Sequence, residues 1–85
     1  MSYSVSLAPA ANRQFRKLPI LIQQRLKTHI DALAVNPRPV KVVKMEAERD
    51  LYRIRVGDYR IVYYVWDREQ EVLVVKIAHR REVYR

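Results

Sequence analysis

Leu51-Tyr52-Arg53-Ile54-Arg55-Val56-Gly57-Asp58-Tyr59-Arg60-Ile61-Val62-Tyr63-Tyr64-Val65-Trp66 reads as two strands hinged on Gly57-Asp58. β-Branched and aromatic residues fill both arms, which suits a half-buried pleated surface. Gly57 supplies the backbone angle that a two-residue hairpin turn requires. Such a turn sets Val56 opposite Tyr59, and therefore Arg55 opposite Arg60. Side chains alternate across a sheet, so Tyr52, Ile54, Val56, Tyr59, Ile61, Tyr63 and Val65 share one apolar face. The other face receives Arg53, Arg55 and Arg60, with Val62 and Tyr64 among them.

Downstream, Asp67 to Gln70 forms a turn and Glu71 to His79 a last strand. Alternation puts Leu73, Val75 and Ile77 on the apolar face. Lys76 and, at the strand's end, Arg80 fall on the cationic one, with Val72 and Val74. Holding the faces together requires an odd-numbered loop, which brings Lys76 or Ala78 beside Arg60. Upstream, Tyr3 to Leu7 alternates as a short strand. Pro9 suits the first turn of a helix, in which Ala11, Phe15 and Leu18 form one stripe. Pro19 ends that helix and starts a second, lined by Ile22, Leu26, Ile30 and Leu33 and stopped by Asn36-Pro37. Residues 37–49 read mostly as loop, and Arg80 to Arg85 as a short charged tail. The expected class is α+β: an N-terminal strand, a two-helix hairpin, then a three-stranded antiparallel meander packed on the helices. Residues 1–85 leave room for one domain.

Composition narrows the function. With no cysteine, neither a disulfide framework nor a thiolate metal site is possible. No apolar run approaches a membrane span, and the first residues lack the basic-then-apolar pattern of a secretion signal, so a cytoplasmic location is expected. No Walker loop, zinc spacing or helix-turn-helix signal is present. Lys plus Arg number 17 against nine Asp plus Glu, a net charge of +8, and 12 of the 17 are Arg. That balance points to a polyanion, and the guanidinium fork grips phosphate through two hydrogen bonds. Like charges facing each other across a sheet are destabilising, so the Arg55–Arg60 pair makes sense if an anion sits between them. A merely solvated sheet face would also carry charge. It would not explain one sign, since Glu46, Glu48, Asp50, Asp67, Glu69 and Glu71 gather in and beside the loops.

From Leu51 to Tyr84 the chain resembles the RelE branch of the RelE/ParE toxin family. The resemblance is carried by the segment from Tyr52 to Tyr63 and by Ile77-Ala78-His79-Arg80-Arg81-Glu82-Val83-Tyr84. Phe15-Arg16-Lys17-Leu18-Pro19, Asn36-Pro37-Arg38 and Lys44-Met45 are also similar. It implies a RelE-like microbial ribonuclease fold and a cytoplasmic toxin of a toxin–antitoxin pair. Such a toxin enters the ribosomal A site and cleaves mRNA there, without metal or other cofactor. The 2′-hydroxyl attacks the adjacent phosphate, leaving a 2′,3′-cyclic phosphate and a 5′-hydroxyl. A cognate antitoxin wraps and blocks the toxin, and the pair often represses its own operon, which implies a higher-order complex on operator DNA.

The same resemblance assigns roles. Arg60 matches the arginine that holds the scissile phosphate, Arg80 the arginine ending the last strand, and Tyr84 the C-terminal tyrosine that stacks on a base or takes a proton. Arg53 and Arg55 match positions that are lysine in the best-known members. Arginine does not lose its proton in proteins, so these two can stabilise charge but cannot serve as base. Transesterification on RNA needs a base, an acid and cations against the charge growing on the phosphorane. Tyr84 is the better base candidate, because neighbouring guanidinium groups favour its phenolate. His79 neighbours Arg80, but strict alternation turns it away. Lys44, Lys76, Arg81 and His79 are candidates for RNA contact. Two other functions compete: a ParE-type poison of DNA gyrase without ribonuclease activity, and a non-enzymatic nucleic-acid-binding module.

Overall fold

A computed structural model describes residues 2–83. The chain runs β1 (Ser4–Leu7), α1 (Pro9–Arg16), α2 (Ile20–Ala32), β2 (Val43–Lys44), β3 (Leu51–Val56), β4 (Tyr59–Trp66), β5 (Glu71–His79) and α3 (Arg80–Val83). The strands form one sheet in the order β1-β5-β4-β3-β2, with β1 parallel to β5 and the other pairs antiparallel. The α+β class and the order of strand, helices and meander are therefore as the sequence predicts. No helix among the described residues is long and apolar enough to cross a membrane.

Neither long helix has a side-chain cap: Ala8 precedes α1 and Pro19 precedes α2. Both rely on packing, which is the usual source of helix stability in short segments. Ala11, Leu26, Ile30 and Leu33 bury against Ile54, Val56, Ile61, Tyr63, Val65, Val72, Val74 and Ile77. Phe15, Leu18 and Ile22 flank this cluster. Leu18 does so from beyond the end of α1, which closes at Lys17. Gln14 on α1 accepts the Ile77 N–H at 2.8 Å through its side-chain oxygen. That donor lies beyond the reach of β1, which pairs only with Glu71 to Val74.

The first hairpin has the expected register, with Val56 facing Tyr59 and Arg55 facing Arg60. Gly57 sits at φ 60°, the left-handed value its turn needs. The second hairpin departs from strict alternation. Its loop is even, Asp67 to Gln70, with Trp66 facing Glu71 and Val65 facing Val72. Val72 and Val74 are thus the core residues, while Leu73 and Val75 are only half-buried, the reverse of the expectation. A bulge resolves the conflict: Tyr63 faces Val74 and Val62 faces Lys76, leaving Val75 unpaired. One extra residue flips parity, so Ile77 returns to the core opposite Ile61. Without it, the phase set by Val72 and Val74 would drive the Lys76 ammonium into the apolar layer.

Two elements went unpredicted. β2 is only two residues long, too short for a period to declare itself. The tail at Arg80–Val83 makes a single helical turn, with the His79 Nδ1 accepting the Arg81 N–H at 3.2 Å.

A polar clamp ties four distant segments together. Arg38 donates to both Asp67 oxygens at 3.0 and 2.8 Å and to the Tyr52 hydroxyl at 3.1 Å. Tyr3 donates to the same carboxylate at 2.7 Å. The Arg38 and Tyr3 hydrogen bonds hold the Asp67 carboxyl below its usual range. A depressed carboxyl adds stability that is complete above the unfolded carboxylate value, near about 3.9, and disappears as pH falls through the lower folded value. Asp67→Ala is therefore expected to melt below the parent at neutral pH, with the gap closing in strong acid. Thermal melts of both proteins across a pH series check this, and a gap independent of pH contradicts it.

Candidate nucleic-acid interface

Register alone assembles the face opposite the helices. Arg55, Arg60 and Ala78 lie side by side across β3, β4 and β5, and Arg53, Val62 and Lys76 make the next row. Lys76 faces Val62, so Ala78 rather than Lys76 is the residue opposite Arg60. Arg60 is 6% exposed and is the one buried charged residue among those described. No buried side-chain nitrogen or oxygen there lacks a hydrogen-bond partner, as burial of a guanidinium demands. Arg53 is half-buried, and Arg55 and Lys76 are exposed. A recess of about 270 Å³ opens between Lys41, Val43, Arg53, Arg55 and Arg60. Among the described residues, four cations and no carboxylate line it. An anion placed there meets donors fixed on strands, which need little reorganisation to hold it.

Lys41 is the member sequence reasoning missed. It belongs to the segment before β2, where neither periodicity nor a turn signal marks which way a side chain faces.

The remaining candidates lie elsewhere. Arg80 stands 61% exposed at the start of α3, with its Nη1 3.6 Å from Asp58 Oδ1. Its backbone N–H donates to the Asp58 carbonyl at 2.7 Å. Arg80, Arg81, His79 and Asp58 line a separate open hollow of about 600 Å³ beside the first hairpin turn. An exposed ion pair at that distance contributes little, so a phosphate can compete with Asp58 for Arg80. His79 pairs with Tyr59 and meets its ring edge-on at 5.2 Å, on the opposite side of the sheet from Arg60. Lys44 faces Tyr52 across β2–β3 and holds its ammonium 5.7 Å from that ring, away from the face of Arg53. Tyr84 falls outside the described residues. At the far end of β4, Tyr64 and Trp66 stack with centroids 5.3 Å apart. Tyr64 donates to Glu48 at 2.6 Å, and that hydrogen bond raises its phenol above the ordinary value.

Among the described residues no group of three or more His, Asp or Glu could hold a metal ion. The chemistry on offer is cationic: hold a phosphodiester and offset the charge it gains.

Comparison with known proteins places the chain in a family. Residues 5–84 match the family described as the ParE toxin of type II toxin–antitoxin systems, parDE. The chain belongs to the RelE/ParE toxin family. Within it, the RelE branch is the better match. The mRNA interferase toxin RelE of Escherichia coli K12 is 30% identical over 88 residues, covering 99% of this chain and 92% of its own. Archaeal RelE from the RelE–RelB complex of Pyrococcus horikoshii OT3 superposes with a TM-score of 0.84 at 30% identity, covering 94% of this chain and 97% of its own. The isolated E. coli RelE toxin superposes with a TM-score of 0.80 at 29% identity, covering 96% and 90%. This RelE-type toxin therefore carries its cation-lined recess on a fold shared with an mRNA interferase.

Proposed function

We propose that this toxin is an endoribonuclease that cuts mRNA in the ribosomal A site, with Arg60 holding the scissile phosphate and Arg53 and Arg55 flanking it. The observation that carries the proposal is the convergence of Lys41, Arg53, Arg55 and Arg60 on one recess. RNA brings its own nucleophile, the 2′-hydroxyl, so the protein needs no serine or cysteine. Its O–P bond forms as the bond to the 5′-oxygen breaks. The leaving oxygen takes a proton from water, and the products are a 2′,3′-cyclic phosphate and a 5′-hydroxyl. Guanidinium groups lower the barrier by balancing the charge on the equatorial oxygens. Arg80 joins them by leaving Asp58, and Tyr84 takes the 2′-hydroxyl proton. Arg81 and Lys76 contact flanking RNA, His79 orients the turn that carries Arg80 and Arg81, and Lys44, turned to the Tyr52 ring, is left out of the contact. An antitoxin resembling the RelB partners of the similar RelE structures covers this surface in the resting cytoplasm, and the pair binds operator DNA.

Induction should arrest translation and leave new 5′-hydroxyl ends inside translated codons. A 5′-end map of cellular RNA tests this. A second reading, poisoning of DNA gyrase, is favoured by the ParE description of the matched family. It predicts gyrase–DNA breaks and no codon cuts, so the same induction separates the two.

RNA affinity should also fall steeply with salt. On single strands the slope of log K against log salt is about −0.7 per phosphate neutralised. Anisotropy titrations from low to physiological salt read it, and a flat response contradicts phosphate gripping.

A further inference from the structure

The recess at Arg60 does not end at the sheet's edge. β2 covers β3 only at Arg53 and Tyr52. From Ile54 onward the outer edge of β3 has no neighbouring strand among the described residues, and residues 39–41 stand off from it. The gap is a second hollow of about 560 Å³, lined by Arg25 and His29 from α2, by Val40 and Lys41, and by Arg55 and Gly57. Lys41 and Arg55 line both hollows. They form the saddle between the two, so the cationic surface runs from Arg60 over the edge of β3 to α2.

Three further facts bear on what this surface takes. First, no carboxylate among the described residues lines either hollow. Second, the ion pairs among the described residues engage Lys27, Arg38 and Arg80, and none engages Arg25, Lys41 or Arg53. Third, Arg25 lies beside the first hairpin: its Nη1 is 3.3 Å from where a Cβ on Gly57 would stand, next to the end of β3. Gly57 thus serves the turn with its φ of 60° and leaves room for Arg25. Two residues of strand, roughly 7 Å, separate Arg55 from Gly57. A rise of that order along β3, with Arg55 at one end and Arg25 beside the other, is on the scale of the spacing between neighbouring phosphates of one single strand. Pro39, Val40, Ile54 and Val56 give the second hollow an apolar floor, and Arg25, Lys41 and Arg55 place cations along its rim.

We infer that Arg25, Lys41 and Arg55 form a phosphate track that grips the RNA backbone one to two nucleotides beyond the scissile phosphate, leading the strand around the open edge of β3 onto α2. The inference rests on the proposed seating of the scissile phosphate at Arg60. It adds an anchor on one side of the cut.

The test uses the full chain and non-cleavable, fully 2′-O-methylated oligonucleotides read by fluorescence anisotropy. A trinucleotide is compared with the same sequence extended by two nucleotides at the 5′ end or at the 3′ end. The parent should bind one of the extended oligonucleotides more tightly, by about tenfold per phosphate gripped, and gain nothing from the other. Arg25→Ala/Lys41→Ala should erase that increment and make the salt slope for the extended strand shallower by about 1.4, or 0.7 per lost contact. Both side chains are exposed. Should the double variant not fold, Lys41→Glu alone should cut the increment. Absence of any increment in the parent, or an increment retained by the variants, overturns the track. Failure of the underlying reading registers separately: Arg60→Ala would then bind the trinucleotide as the parent does.

Discussion

Arg60→Ala is expected to lower mRNA cleavage by about 10²–10³-fold, the usual cost of removing one preorganised donor from a developing oxyanion. Arg60 is the most buried cation of its recess, and β3 and β5 flank the strand that carries it. Its guanidinium therefore has few alternative positions, and its charge acts in a surrounding poorer in water than that of exposed Arg55. Arg60→Lys keeps the charge but loses the planar fork, so an intermediate loss is expected. The fold should survive both changes, because Arg60 lies on the face away from the helices. Cleavage in a translating extract, read by primer extension beside far-ultraviolet circular dichroism, checks both statements. A folded Arg60→Ala protein cutting at the parental rate would remove the recess from the chemistry.

Tyr63→Ala should cost the domain about 3–5 kcal/mol, a large part of the roughly 5–15 kcal/mol that holds a typical domain together. Tyr63 is fully buried at the centre of the core, on a central strand. Its ring stacks on Tyr52 at 6.2 Å, and its hydroxyl donates to the Pro37 carbonyl at 2.8 Å. Truncation therefore opens a cavity and also removes one tie between the sheet and the segment leading to Arg38. Burial pushes the Tyr63 phenol above its ordinary value, so the group stays neutral and donates throughout the physiological range. Tyr63→Phe keeps the ring and strands only that carbonyl, at about 1–3 kcal/mol. Urea melts rank the three proteins. Equal losses for the two variants would place the whole effect in the hydroxyl.

Much of this molecule is legible before any coordinates. Gly57-Asp58 is a tight turn whose length dictates register, so the Arg55–Arg60 pairing follows from two residues. The helices declare themselves through Leu26, Ile30 and Leu33 at helical spacing, with prolines as punctuation. Parity fails where a local exception enters. Nothing in Glu71 to His79 marks Val75 as an extra residue, because valines at 72, 74 and 75 suit either face. The exception is decided by tertiary fit: the four-residue turn sets one phase, Ile77 requires the other, and the bulge reconciles them.

The site divides along the same line. Arg53, Arg55 and Arg60 come together because they sit on paired strands with a fixed register. Arg80 lies at a strand end, where alternation stops being a guide, and the structure gives it to α3 and Asp58. Lys41 was invisible because the segment before β2 follows no period, and Lys44 faces Tyr52 because even a two-residue strand alternates. The clamp through Arg38 joins residues 29 positions apart, a contact that no local pattern encodes.

The seating of RNA is tested most directly by a crystal structure of the toxin with a 2′-O-methylated mRNA codon analogue. One backbone phosphate should lie in the recess of Arg53, Arg55 and Arg60, with its oxygens about 2.7–3.0 Å from the Arg60 guanidinium. An oligonucleotide bound on the helical side, or one whose phosphates pass the recess without touching Arg60, would contradict it.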